Sequence, residues 1–134
     1  MELSRQADYA VRTVIELAKA PAGSLLHTGD IANRQNIPEK YLPSIVRTLA
    51  RAGLLRTMRG SQGGISLAQR PEEITLLDVV EAIDGQMLLN RCLIRPGECA
   101  RGGNLCKLHD FWKLMTAEIE ERLAGVNFLE LAAD

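Results

Sequence analysis

Apolar side chains recur along this chain with two different periods, and the change of period divides it. From residue 3 to 20, Leu3, Ala7, Val11, Val14, Ile15 and Ala18 return at three- and four-residue steps, which predicts an amphipathic helix capped by Ser4. Pro21-Ala22-Gly23-Ser24 ends it. A shorter helix is predicted next, with Thr28 as cap, Ile31 and Ala32 facing inward and a stop near Asn36, after which Ile37-Pro38 turns the chain. A third helix is predicted from about Glu39 to Ala52, with Gly53 just past its end. Pro43 fits only if that helix starts late enough to leave the proline in its first turn, where the amide needs no partner.

The third helix is patterned on both faces. Leu42, Ile45, Val46 and Leu49 form a stripe for a core, while Lys40, Ser44, Arg47 and Arg51 lie largely away from it. A short helix, a tight turn and a second helix with a polar, basic outer face are the helix-turn-helix pattern. The period then shortens. Residues 54–58 and 65–68 read as two short strands around Arg59-Gly60-Ser61-Gln62-Gly63-Gly64. A hairpin straight after a recognition helix is a wing, and an arginine where its glycine-rich loop begins, Arg59, suits the negative potential of a narrow minor groove. The glycines lack the lysine and following helix of a nucleotide-binding loop.

In the second half, Thr75 and Asp78 predict a capping box for a helix carrying Leu76, Leu77, Val79, Val80 and Ile83, closed by Gly85. A long helix is predicted from about Leu105 to Ala124, with Leu108, Phe111, Trp112, Met115, Ile119 and Leu123 on its apolar side. Such a helix has little of its own domain left to cover it. Pairing with a second copy is therefore expected, the alternative being docking onto the first module. Asn127 and Glu130 cap a short last turn holding Phe128, Leu129 and Leu131. The fold class expected is mainly α: a winged helix-turn-helix DNA-binding module with a two-stranded β wing over 1–84, a cysteine-containing loop over 85–107, and a dimerisation helix with its C-terminal turn over 105–134.

Charge strengthens that division. The formal net charge is only −1, yet residues 1–70 hold ten Lys or Arg against five Asp or Glu, and residues 71–134 hold six against twelve. From Lys40 to Pro71 there is no acidic residue. Phosphate attraction is felt locally, so the basic block outweighs the neutral total as a sign of nucleic acid. No apolar run reaches the ~20 residues of a membrane span, and the opening residues lack the layout of an export signal, which implies the cytoplasm. No acid–base pair, nucleophile beside a histidine, or nucleotide loop supports an enzyme.

The candidate chemistry lies between Asn90 and His109. All three cysteines, Cys92, Cys99 and Cys106, fall there, six residues between each, and His109 follows. Three thiols in a reducing compartment suit ligands or sensors better than disulfides. With a histidine they also describe a tetrahedral zinc site, though the short spacing of paired zinc cysteines is missing. Thiols that oxidise without any metal are a further reading.

Leu3-Ser-Arg-Gln-Ala-Asp-Tyr-Ala-Val-Arg12, Asp30-Ile31-Ala32, Tyr41-Leu42, Ala52-Gly53-Leu54, Arg59-Gly60 with Gly63-Gly64, Leu77-Asp78-Val79-Val80 and the cysteine cluster together resemble the IscR-type (Rrf-two) family of winged-helix transcription regulators, along nearly the full chain. The resemblance implies a homodimer on a palindromic operator, and the expected role is that of a repressor. It implies base reading by Lys40 and Ser44, a phosphate contact by Tyr41 and a minor-groove contact by Arg59, with Arg47 on the same basic face. Pro43 stands where some members use a polar side chain, so the operator is expected to differ there. The resemblance further implies an iron–sulfur cluster on Cys92, Cys99 and Cys106, sensing redox or nitric oxide. The cysteine spacing is slightly longer than in the best-known members. His109 matches the fourth ligand of 2Fe–2S members and is favoured; Asp8 matches the carboxylate of 4Fe–4S members. Other members lack a cluster and answer to a ligand or a partner protein, which leaves a thiol-based, zinc-binding or partner-controlled regulator as the alternative.

Overall fold

The computed structural model describes residues 2–61, 63–95 and 106–133. In chain order it contains α1 (Arg5–Lys19), α2 (Thr28–Gln35), a 3-10 turn (Glu39–Tyr41), α3 (Leu42–Arg51), β1 (Leu55–Met58), β2 (Gly64–Leu67), a second 3-10 turn (Pro71–Glu73), α4 (Leu76–Asp84), α5 (Arg91–Ile94), α6 (Lys107–Ala124) and α7 (Phe128–Ala132). The sheet is one antiparallel pair in which Leu55 faces Leu67 and Met58 faces Gly64; Leu26 adds an isolated bridge to Ile65.

Local chemistry sets most element ends where the sequence predicts them. The Ser4 hydroxyl accepts from the Ala7 amide at 3.0 Å and starts α1. Thr75 and Asp78 form the reciprocal capping box of α4. The Asn127 side chain accepts from the Glu130 amide at 3.0 Å at the start of α7. α2 stops at Asn36, whose φ of 54° is the left-handed conformation that asparagine tolerates. The third helix is split: residues 39–41 wind as a 3-10 turn and the α-helix begins at Leu42, which leaves Pro43 in the first turn, as its missing amide requires. Two expectations need correction. α2 is capped by His27 and not Thr28, with no side-chain cap bond, because the helix already includes Thr28. The long helix begins at Lys107, two residues late, with Cys106 as its cap residue.

The core gathers Ala10, Val14 and Leu17 of α1, Ile31 of α2, Leu42, Ile45 and Leu49 of α3, Leu55 and Ile65 of the wing, Val79 of α4 and Phe128 of α7. The stripe expected on α1 is thereby rotated. Ala7, Ala10, Val14 and Leu17 are buried, while Val11 and Ile15 are half-buried and Leu3 is exposed. α1 touches α2, α3, α4, α7 and β2, so it is packed from several sides, and one period cannot describe a helix covered on several faces. Even Glu16 is buried, accepting from Gln35 Nε2 at 2.6 Å with Arg34 at 3.8 Å.

α6 lies against α4 and α5 and buries only Thr116. The chain then returns: Leu76 donates its amide to Val126, and Phe128 donates to Ile74. The last turn, grouped by sequence with the long helix, thus packs into the first module.

Candidate nucleic-acid interface and cysteine loop

The α3 helix puts Ser44, Arg47 and Arg51 on the face opposite its buried stripe, all three exposed, with Lys40 exposed in the turn just before it. Tyr41 is half-buried, and the Lys40 ammonium sits 5.1 Å from the centre of its ring. β1 packs on α3 and carries Arg56 and then, at the tip of the hairpin, Arg59, both exposed. Among the described residues, Lys40, Arg47, Arg51, Arg56 and Arg59 make no ion pair. Three other arginines of the head are matched: Arg12 with Asp8, Arg34 with Glu16, and Arg70 with Glu72 and Glu73. A row of cations left unmatched along a helix and the hairpin beside it can neutralise a row of phosphates.

The wing is built so that its tip stays narrow. Gly60 has a φ of 100°, a conformation side chains resist. A Cβ on Gly63 would overlap the Met58 carbonyl oxygen, so the two arms close only over a bare backbone. The glycines that resemble a phosphate loop in sequence serve here to present Arg59.

The cysteine stretch is positioned from both ends. Cys92 lies in α5 and Cys106 directly before α6, both half-buried, and α5 packs against α6. Cys99 lies outside the described residues, as does most of the loop expected over 85–107. Among the described residues, no three ligating side chains cluster as a metal site would need. Among the described residues, His109 Nδ1, in the first turn of α6, is buried without a hydrogen-bond partner, and so is Trp112 Nε1 one turn later. A buried imidazole nitrogen normally has a partner, and its lack is what a ligand role would leave. Cys106 and His109 at the start of α6, with Cys92 on the neighbouring α5, are donor types that suit iron–sulfur or zinc. Asp8, the other candidate ligand, is already engaged: its carboxylate accepts from Arg12 Nη2 at 2.7 Å.

Sequence reasoning passed over Tyr9, Arg12 and Asp84. Tyr9 stacks obliquely on Tyr41, and Arg12 reaches the Gln35 carbonyl. Asp84 holds the Ser4 amide at 3.0 Å and also accepts from the Ser4 hydroxyl, which ties the start of α1 to the residue before the cysteine loop. Such contacts join residues far apart in the chain, and no local pattern announces them.

The family model described as Rrf2, iron-dependent transcriptional regulator, matches residues 3–134. A protein of Mycobacterium tuberculosis (strain H37Rv) named as an HTH-type transcriptional regulator is 34% identical over 132 residues, 98% of this chain and 81% of the relative. The HTH-type transcriptional regulator IscR of Aliivibrio salmonicida is 31% identical over 134 residues, 100% of this chain and 79% of the relative. Among solved structures, CymR, the global cysteine regulator of B. subtilis, superposes with a TM-score of 0.83 at 26% identity, covering 100% of this chain and 99% of that one. T. potens IscR shares the fold, with a TM-score of 0.78 at 24% identity over 98% and 85% of the two chains. No described helix is long and apolar enough to cross a membrane. With a basic face along α3 and the wing, and with relatives that are regulators along almost its whole length, this chain belongs to the Rrf2 family of DNA-binding transcription regulators and is not an enzyme.

Proposed function

We propose that the chain acts as a homodimer on a palindromic operator, as a repressor whose grip is set by the state of Cys92, Cys99 and Cys106. α3 enters the major groove, with Lys40, Ser44 and Arg47 toward the bases and Tyr41 toward a phosphate, and Arg59 enters the flanking minor groove. The observation that carries the dimer is the exposed apolar row on α6, where Leu108, Phe111 and Leu114 are 50%, 49% and 57% exposed beside the cysteine stretch. Two α6 helices packed on each other would fix the separation of the two α3 helices, which must match one duplex turn, ~34 Å.

His109 and the three cysteines would hold an iron–sulfur cluster, 2Fe–2S in preference to 4Fe–4S, with Asp8 the alternative fourth ligand and zinc the alternative metal. When bound, such a cluster supplies a redox- and nitric-oxide-sensitive group at the sulfurs. The chain's own part is mechanical. Residues 85–106 join α4 to α6, so whatever draws Cys92 and Cys106 together or frees them bears on the angle between head and dimer helix. The likeness to CymR favours a second reading, in which the thiols themselves are the sensor without metal.

Anaerobic isolation with iron, sulfide and zinc analysis, followed by DNA binding before and after oxidation, separates these readings. Bound iron and sulfide with visible absorption support the cluster. A protein colourless even after reconstitution, yet oxidant-sensitive in DNA binding, supports the thiol reading. Binding indifferent to the sulfurs overturns both.

A further inference from the structure

The rings of Tyr9, on α1, and Tyr41, in the turn before α3, lie 5.6 Å apart between centroids, tilted by 41°. Each carries a cation. Arg12 Cζ is 5.1 Å from the centre of the Tyr9 ring, and Lys40 Nζ is 5.1 Å from that of Tyr41. Arg12 also donates from Nη1 to the carbonyl of Gln35, the last residue of α2, at 2.7 Å. α1 therefore holds the helix-turn-helix at two places: the end of α2 through Arg12, and the turn before α3 through Tyr9.

We propose that Tyr9 and Arg12 are positioning residues for Lys40. The row cation–ring–ring–cation sets the direction from which the Lys40 ammonium meets DNA, although Tyr9 itself lies on a different helix. Lys40 has no ion pair among the described residues, so the face of Tyr41 is what constrains it, and Tyr9 is what tilts Tyr41. A lysine already held over a ring loses less rotamer freedom on binding than one waving in solvent. The inference rests on the reading of Lys40 as a DNA contact.

The test uses the full chain and a duplex selected from a random-sequence pool by the unmutated protein. Affinity is measured at two salt concentrations, with thermal midpoints alongside, for Tyr9→Phe, Tyr9→Leu, Lys40→Met and the Tyr9→Leu/Lys40→Met double variant. Tyr9→Phe, which keeps the ring, binds within about twofold of the parent, and Tyr9→Leu binds about fivefold more weakly. The double variant binds no more weakly than Lys40→Met alone, because the ring acts through the lysine. Should Tyr9→Leu not fold, Tyr9→Met fills the same space and carries the same expectation. A weakened Lys40→Met beside an unchanged Tyr9→Leu overturns this proposal and leaves the DNA contact standing. So does a double variant whose losses add in full. An unchanged Lys40→Met overturns the contact at Lys40, and the proposal with it.

Discussion

The winged head and α6 treat apolar surface in opposite ways. In the head, every long helix and both strands contribute to one cluster, and α1 is covered so completely that it buries a glutamate with its own partners. α6 is 18 residues long, yet one residue of it is buried, and three large apolar side chains along its first two turns stand about half exposed. Polar groups divide the same way. The caps of α1, α4 and α7 are satisfied, whereas His109 Nδ1 and Trp112 Nε1 are buried without partners among the described residues. A fold that closes its own head has no shortage of apolar residues to close its own tail. The open surface of α6 is thus a feature of the sequence, suited to something outside the single chain.

The contrast can be broken most forcefully from its closed side. Phe128 is fully buried although it follows the long helix, so Phe128→Ala should cost about 3–5 kcal/mol in denaturant unfolding, as for a core aromatic. A loss below about 1 kcal/mol would mean α7 only rests on the head. On the open side, Phe111→Glu with Leu114→Glu should weaken self-association about 100-fold or more in sedimentation, since each puts a charge where the proposed pairing buries a large apolar group. The variant's unfolding midpoint should lose its dependence on protein concentration while the fold survives. If association is unchanged, α6 pairs with nothing through this face.

Smaller effects sharpen the separation between reading and pairing. Arg59→Ala should lower operator affinity by about tenfold and reduce the salt slope by about one, with sedimentation and unfolding midpoint unaltered. An unchanged slope would remove the wing from the interface. Smallest of all is the contribution of Glu73, an exposed residue of the head. The Arg70 hydrogen bond, and then its charge, hold the Glu73 carboxyl below its ordinary range. A depressed carboxylate favours the folded state above its unfolded pKa, and the benefit fades as pH falls through the folded one. Glu73→Gln should therefore lower the thermal midpoint slightly near neutrality and match the parent in acid, a difference near the limit of detection for a solvated pair. A gap that widened in acid would contradict the assignment.

Much of this division is visible in the residues alone, and the reason is locality. Ser4, the Thr75–Asp78 box, Asn127 and the late start forced by Pro43 act within a turn of themselves, so spacing reveals them. The stripe on α3 is legible because that helix has one buried face and one exposed one. α1 is not, because neighbours on several sides bury residues that a single period would leave out, Ala10 and Leu17 among them. Thr28 has the side chain of a cap, but residue type does not reveal where the helix hydrogen bonds begin, and α2 already includes it. The pairs Tyr9–Tyr41 and Ser4–Asp84 span 32 and 80 positions of chain, a separation at which no spacing rule operates. Of the site itself, the basic face was legible in charge and period. Which cysteines come together depends on loop path, which no spacing rule gives, and Cys99 lies outside the described residues.

The amide of Phe128 and the carbonyl of Val126 fasten the chain to residues 74 and 76 immediately after α6 ends. That makes the long helix a crank with its bearing at the C-terminal end. At 1.5 Å per residue its shaft is about 27 Å, so each degree of tilt about the bearing sweeps the far tip through about 0.5 Å. The far tip is where Cys106 sits, with Leu108, Phe111 and Leu114 close behind it. The sweep of a tilt about that bearing would therefore be greatest at the sulfur and at the exposed apolar row, and least where the crank is fixed.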